Sequence, residues 1–228
     1  MSATTSMSGL TLAIDTSTKS SIVVLGRDRP AAISRRDVSH RHGSHVLEQV
    51  EEVLATAGVS LAAVDSLAVG TGPGSFTGLR VGMATAKTLA YALSLPLVGV
   101  PSSTALRRAA VDSGAPEDVA VVLAAGAHDH YLVRATDDPV LVAPGGLVDL
   151  LKGSPSLSID LGVEVLGPEA QRLGAAALEG MSEALLALAR ERLAAAPDDV
   201  AELIPAYVAL PRGVTRAADE LGWSPDLR

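Results

Sequence analysis

Five glycines fall within the thirteen residues Gly70-Thr71-Gly72-Pro73-Gly74-Ser75-Phe76-Thr77-Gly78-Leu79-Arg80-Val81-Gly82. That density means a backbone that turns sharply or lies close against something else. Ser75 and Thr77 both stand where a hydroxyl can cap a following helix, leaving amide donors that face the loop and favour anions. A plain strand-to-helix turn with capping residues explains the same letters, and both readings stand open here. The loop is not a Walker loop, because no Lys-Ser or Lys-Thr pair follows the glycines. It is not a nucleophile elbow either. That motif needs glycines two residues to each side of the serine, where Ser75 has Pro73 and Thr77.

Three other groups could do chemistry. Asp15-Thr16-Ser17, in the polar segment running to Ser20, offers a carboxylate and hydroxyls. Asp15 could act as metal ligand or base, and its commoner role is to cap a hairpin turn. His40, His42 and His45 lie close together, with His42 and His45 on one face if helical. A zinc site needs a further ligand, and no cysteine or clear carboxylate partner is supplied, so a solvated helix start is the simpler reading. His128-Asp129-His130 alternates like a strand or hairpin. Ser75 with His128 and Asp129 would make a hydrolase if the fold joined them.

The elements that must position these residues follow from periodicity. Leu10–Ile14, Ser21–Leu25 and Ala31–Val38 read as three strands, with Asp15 to Ser20 as the first turn. Val46, Leu47, Val50, Val53, Leu54 and Ala57 recur at helical spacing, and Gly58 ends that helix. A strand at Ser66–Val69 enters the glycine-rich loop, and a helix at Leu79–Leu93 leaves it, stopped by Pro96. Leu97–Val100 is a strand, and Ser102 or Ser103 caps a helix reaching about Val111. Ser113 to Asp118 reads as a linker. The pattern then restarts with strands at Val119–Ala124, Tyr131–Ala135 and Val140–Ala143. A short helix at Gly146–Leu151, a strand at Val163–Leu166 and a helix at Met181–Ala196 follow. The order βββαβα, met twice, predicts two similar α/β domains with mixed sheets flanked by helices. The boundary falls at residues 110 and 111, giving domains 1–110 and 111–228, with the last helix able to pack back on the first. From Pro205 the tail is expected to wrap or fray.

Composition sets limits. Hydrophobic residues make up 48% of the 228 but aromatics only 2%, so the core must be Ala, Val and Leu. The net charge of −8, from 18 basic and 26 acidic residues, opposes binding nucleic acid unaided. Without cysteine there are no disulfides and no thiolate chemistry. The polar start lacks a signal peptide, and no apolar run could span a bilayer, so a soluble cytoplasmic protein is expected.

Leu12-Ala13-Ile14-Asp15-Thr16-Ser17, followed by Gly72-Pro73-Gly74-Ser75-Phe76-Thr77-Gly78-Leu79-Arg80, resembles the TsaB (YeaZ) family of bacterial tRNA threonylcarbamoyladenosine synthesis. Leu95-Pro96-Leu97-Val98-Gly99-Val100 and His42 extend the likeness over about the first 105 residues. The second half departs from it. Ala124 to Tyr131 lacks the family's aspartate and arginine, and its late Pro-x-Tyr-Leu-Arg survives only as Pro205-Ala206-Tyr207-Val208-Ala209.

The resemblance implies an actin-like fold (sugar-kinase-like, ribonuclease H-like) built of duplicated βββαβα domains. It implies a non-catalytic subunit that supports a TsaD-like transferase together with a TsaE-like ATPase, reaching tRNA only through the complex, with no membrane. ATP and magnesium would be used by the complex, with no cofactor held by this subunit alone. In such a fold a phosphotransferase grips phosphates with two hairpins. Asp15, Thr16 and Ser17 would be a vestigial first one, while Ala125 to His130 lacks an Asp-Gly-Gly-Thr type of second loop. Gly72, Gly74, Ser75, Thr77, Gly78 and Arg80 form the family's glycine-rich loop. Val46, Leu47, Val50 and Leu54 of one helix, with Leu79, Gly82, Met83, Ala86 and Ala90 of the next, are the expected partner interface. The stripe Gly78, Gly82, Ala86, Ala90 would admit a partner helix closely, or pack on its own sheet. The same surface would pair two copies when TsaD is absent. An autonomous sugar-kinase-like phosphotransferase and a Ser75 hydrolase remain the alternatives.

Overall fold

The computed structural model describes residues 9–37, 45–126 and 128–208, and the backbone of two strands further on. Strands β1 (Thr11–Asp15), β2 (Ser20–Gly26) and β3 (Pro30–Asp37) form an antiparallel meander. Helix α1 (Val46–Ala57) then leads through a short 3₁₀ turn to β4 (Ser66–Gly70), which pairs parallel to β1. Helix α2 (Phe76–Leu93), β5 (Leu97–Val100), parallel to β4, and α3 (Ser102–Asp112) complete the first half. Its sheet order is β3-β2-β1-β4-β5.

The second half repeats the scheme with β6 (Ala120–Ala125), β7 (Asp129–Val133), β8 (Val140–Val142), α4 (Leu147–Leu151), β9 (Ser156–Ile159) and α5 (Val163–Ala195). Its sheet runs β8-β7-β6-β9, with β6 antiparallel to β7 and parallel to β9. The order β3-β2-β1-β4 of the first sheet corresponds to β8-β7-β6-β9 of the second, β5 extending the first alone, and the fold is α/β with mixed sheets flanked by helices. Beyond them β10 (Val214–Ala217) and β11 (Glu220–Trp223) form an antiparallel pair that the sequence reading did not anticipate.

The strands in the middle are apolar throughout because both of their faces are covered. Leu12, Ile14, Val23, Leu25, Leu67 and Val69 face α1 and α2. Ala13, Ile22, Val24, Ala68 and Val98 face the other way, onto a core that also takes in Leu106 of α3, Met181 and Leu185 of α5, and Val121, Leu123 and Leu157 of the second sheet. One hydrophobic core thus joins both sheets. The far face of the second sheet, with Val122 and Leu132, is covered by Leu147 and Leu151 of α4.

Two expected elements are corrected. Val163–Leu166 is not a strand but the opening turn of α5, where Val165 and Leu166 pack beneath the second sheet; the strand is β9, just before it. Helix α5 does not begin at Met181. Gly167, at φ 81°, interrupts it, and Pro168 opens its long segment. Ala170, Leu173 and Ala177 continue the buried stripe upstream. Those small residues give a weak apolar signal, and Gly174 is small because its helix lies on the Ser158 backbone. Helix α2 also starts at Phe76, three residues before the expected Leu79, on a cap at Ser75.

Candidate functional site: the locked glycine-rich loop

The glycine-rich loop and the β1–β2 turn meet at the carboxyl ends of β1 and β4, where open α/β sheets commonly bind ligands. Here they bind each other. Ser75 N donates to the Ser17 carbonyl at 2.7 Å, and the Thr16 hydroxyl donates to the Gly78 carbonyl at 2.7 Å. A Cβ at Gly74 would collide with the Ser17 carbonyl oxygen, and one at Gly78 with that of Thr16. The glycines therefore admit the chain's own hairpin backbone close against the loop. Thr16 and Ser17 are buried beneath the loop.

Asp15 is completely buried. One carboxylate oxygen accepts from the Ser17 amide at 2.8 Å and the Ser17 hydroxyl at 2.6 Å; the other accepts from the Ser102 hydroxyl at 2.6 Å. Gly72 N donates to that same Ser102 oxygen at 3.0 Å. Burial pushes the Asp15 carboxyl above its ordinary value, against the downward pull of the bonds from Ser102 and Ser17. A chain of contacts, Asp15–Ser102–Gly72, thus pins the loop from below. The Ser102 cap expected for α3 is corrected: its hydroxyl is spent in this chain, and Pro101 stands at the N-cap of α3 with no side-chain cap bond.

A second tie joins the halves. Lys19 N donates to the Asp160 carboxylate at 2.7 Å, and Lys19 Nζ to the Asp160 carbonyl at 3.2 Å. Asp160 follows β9 at φ 61° and its carboxyl is raised by burial, with the Lys19 amide bond opposing. Asp160 and Ser102 carry the geometry here, and no sequence signal marked either for these roles.

Ser75 caps α2, its hydroxyl accepting from Gly78 N at 3.2 Å. His128 and Asp129 belong to the β6–β7 hairpin of the other sheet, and among the described residues no hydrogen bond links them to Ser75. His130 is buried with its Nδ1 unpartnered. Of the early histidines, His45 contacts Glu48 at 3.1 Å, while His40 and His42 lie outside the described residues. Arg80 is exposed, its guanidinium 5.2 Å above the Phe76 ring, and Thr77 is exposed beside it.

The expected partner interface needs the main correction. Val46, Val50, Leu54, Leu79, Gly82, Met83, Ala86 and Ala90 are all buried within the chain, and Leu47 alone of that set stands exposed, at 57%. The small-residue stripe of α2 lies on its own hairpin and sheet. A Cβ on Gly82 would meet the Thr16 hydroxyl, so smallness there serves internal packing. Outward, α2 instead presents Thr77, Arg80, Ala84, Thr88 and Tyr91, all exposed. At 100° per residue these five fall on one side of the helix.

Comparison with known proteins adds independent findings. Residues 33–144 match the family profile described as TsaD: tRNA N6-adenosine threonylcarbamoyltransferase. The tRNA threonylcarbamoyladenosine biosynthesis protein TsaB of Haemophilus influenzae is 36% identical over 136 residues, 59% of this chain and 57% of that protein. The protein of the same name from Escherichia coli is 40% identical over 89 residues, 39% of this chain and 38% of that one. The matched region therefore spans well under two thirds of either relative. The solved structure of YeaZ from Pseudomonas aeruginosa superimposes with a TM-score of 0.64 at 26% identity, over 87% of this chain and 99% of that one.

Proposed function

We propose that this chain, a homologue of the TsaB (YeaZ) proteins with their actin-like fold, is a non-catalytic subunit in the formation of threonylcarbamoyladenosine on tRNA. In this reading it binds and supports a TsaD-like transferase, with a TsaE-like ATPase joining them, and tRNA is reached only through the complex. ATP and magnesium belong to the complex, and this subunit holds neither by itself.

The observation that carries the reading is the mutual lock of hairpin and glycine-rich loop. The sugar-kinase reading needs open amides and an accessible carboxylate at that place. Thr16 and Ser17 fill it with their own backbone, and Asp15 is spent on Ser17 and Ser102. Among the described residues no base contacts Ser75 as the hydrolase reading needs, and its hydroxyl accepts from Gly78 N at the head of α2.

The partner surface we assign is the outer side of α2, Thr77, Ala84 and Thr88 flanked by Arg80 and Tyr91, together with Leu47 of α1. Its centre is small and uncharged, which suits close approach of another helix. Among the described residues no helix is long and apolar enough to cross a membrane.

Reconstitution tests the function. Transferase, ATPase, tRNA and substrates should modify tRNA with this chain present and fail without it. Undiminished modification in its absence defeats the reading. Calorimetry with ATP and magnesium on the isolated chain should give no binding, and a low-micromolar dissociation constant sensitive to Asp15→Ala would favour the phosphotransferase instead.

A further inference from the structure

After α5 the chain turns back across the first half. Asp198 N donates to the Leu97 carbonyl at 3.0 Å, and the Asp198 carboxylate accepts from Gly99 N at 2.7 Å. Both groups sit on the outer edge of β5, the last strand of its sheet. Arg192, on the last turn of α5, holds the same carboxylate at 3.2 Å. Leu203 lies over Gly99, where a Cβ would come within 2.6 Å of its side chain, and Val200 and Leu203 pack against the core beneath α2. Lys87 of α2 donates to the Ala201 carbonyl at 3.3 Å.

The segment then reaches the glycine-rich loop. Ala206 N donates to the Thr71 carbonyl at 2.8 Å. The Tyr207 ring lies 5.4 Å from that of Phe76, the first residue of α2, and Arg80 covers the same Phe76 ring. Aromatic residues are scarce in this chain, so a pair of them bridging segments 131 residues apart in sequence is a specific feature. Nearly all of residues 196–208 are exposed or half-buried. A peripheral segment whose residues are mostly exposed or half-buried opens at lower free energy than the core it covers.

We propose that residues 198–207 form a detachable strap that holds the glycine-rich loop and the first turn of α2 against the edge of the five-stranded sheet. Hairpin and Asp15 pin that loop from beneath; the strap pins it from outside. When the strap is closed the α2 face is ordered, and when it opens the β5 edge and the loop are released together. The device acts on the isolated chain, so it stands or falls separately from the partner assigned above.

Hydrogen exchange of the isolated chain tests it, with Asp198→Ala and Tyr207→Ala as releasing variants. Asp198→Asn, which retains an acceptor for Gly99 N, and Tyr207→Phe, which retains the ring, are the rescuing ones. Both alanine variants should speed exchange at Gly99, Ser75 and Gly78 by roughly tenfold or more while the β1 amides keep their protection. The conservative variants should restore slow exchange. Faster exchange confined to residues 198–207, or equal acceleration at β1 and the loop, overturns the proposal. The first would make the segment a passive cover, and the second would make the loop move only with the whole fold.

Discussion

At Asp15 three donors surround a fully buried carboxylate, and among the described residues no cation reaches it. Its carboxyl is raised above 3.8 by burial, so the folded state binds a proton more tightly than the unfolded chain does. The stability this contributes is fully present below 3.8 and is lost as pH rises through the folded value. Asp15→Asn can keep its oxygen toward Ser17 and offer its amide to the Ser102 oxygen. Urea unfolding should therefore show wild type losing stability relative to Asp15→Asn as pH is raised from below 3.8 to neutrality; a pH-independent difference would mean that Asp15 does not titrate in that window. Asp15→Ala strands the Ser17 amide, the Ser17 hydroxyl and the Ser102 hydroxyl, at roughly 1–3 kcal/mol for each buried group left unpaired. Gly78→Ala forces a methyl group onto the Thr16 carbonyl and should cost about 1–3 kcal/mol in the same assay. That these glycines permit a close approach was legible in their number. What approaches was not, because a carbonyl of the chain and a phosphate oxygen ask the same smallness of the loop.

Helix α2 shows the same ambiguity over four turns. Gly78, Gly82, Ala86 and Ala90 form one stripe whether a partner helix or the home sheet lies against it, and only the burial of Ala86 and Ala90 decides for the sheet. The strands and helices of the first half were legible to within three residues, since their apolar runs and their stops at Gly58 and Pro96 are strong signals. The second half was less so, because Ala and Gly fill α5 where Leu marks a helix more plainly. Two kinds of substitution separate the faces of α2. Ala84→Arg with Thr88→Arg should leave the melting temperature within a few degrees of wild type and weaken binding to the transferase, by about tenfold for each 1.4 kcal/mol lost. Gly82→Leu should destabilise the isolated chain by at least about 1–3 kcal/mol through its clash with Thr16. Pull-down and a thermal melt on the same preparations check both. A well-folded double arginine variant with full affinity would remove α2 from the interface.

Both sheets of the molecule share one core, with α3 and α5 packed between them. Leu106, Met181 and Leu185 have no exposed surface and belong to a core cluster that draws on both halves. The two halves should therefore unfold as a unit despite their repeated topology. Leu185→Ala should cost about 2–5 kcal/mol. Exchange protection in β1 and in β6 should fall by equal factors, and a loss confined to one sheet would show independent domains. The tie from Lys19 to Asp160 adds a second join, just before β2 and just after β9. Repetition of βββαβα was visible in the sequence. The common core was not, because periodicity reports that a strand is covered on both faces without saying by what.

The strap has a consequence during synthesis. The five-stranded sheet is complete once Val100 has been made, yet the cover for its β5 edge begins only at Asp198, almost a hundred residues later. At roughly 5–20 residues per second, a nascent chain leaving the ribosome carries that edge bare for about 5–20 seconds. Unpaired edges recruit other strands. Between translating β5 and translating Asp198, that edge is therefore without the cover it has in the finished fold.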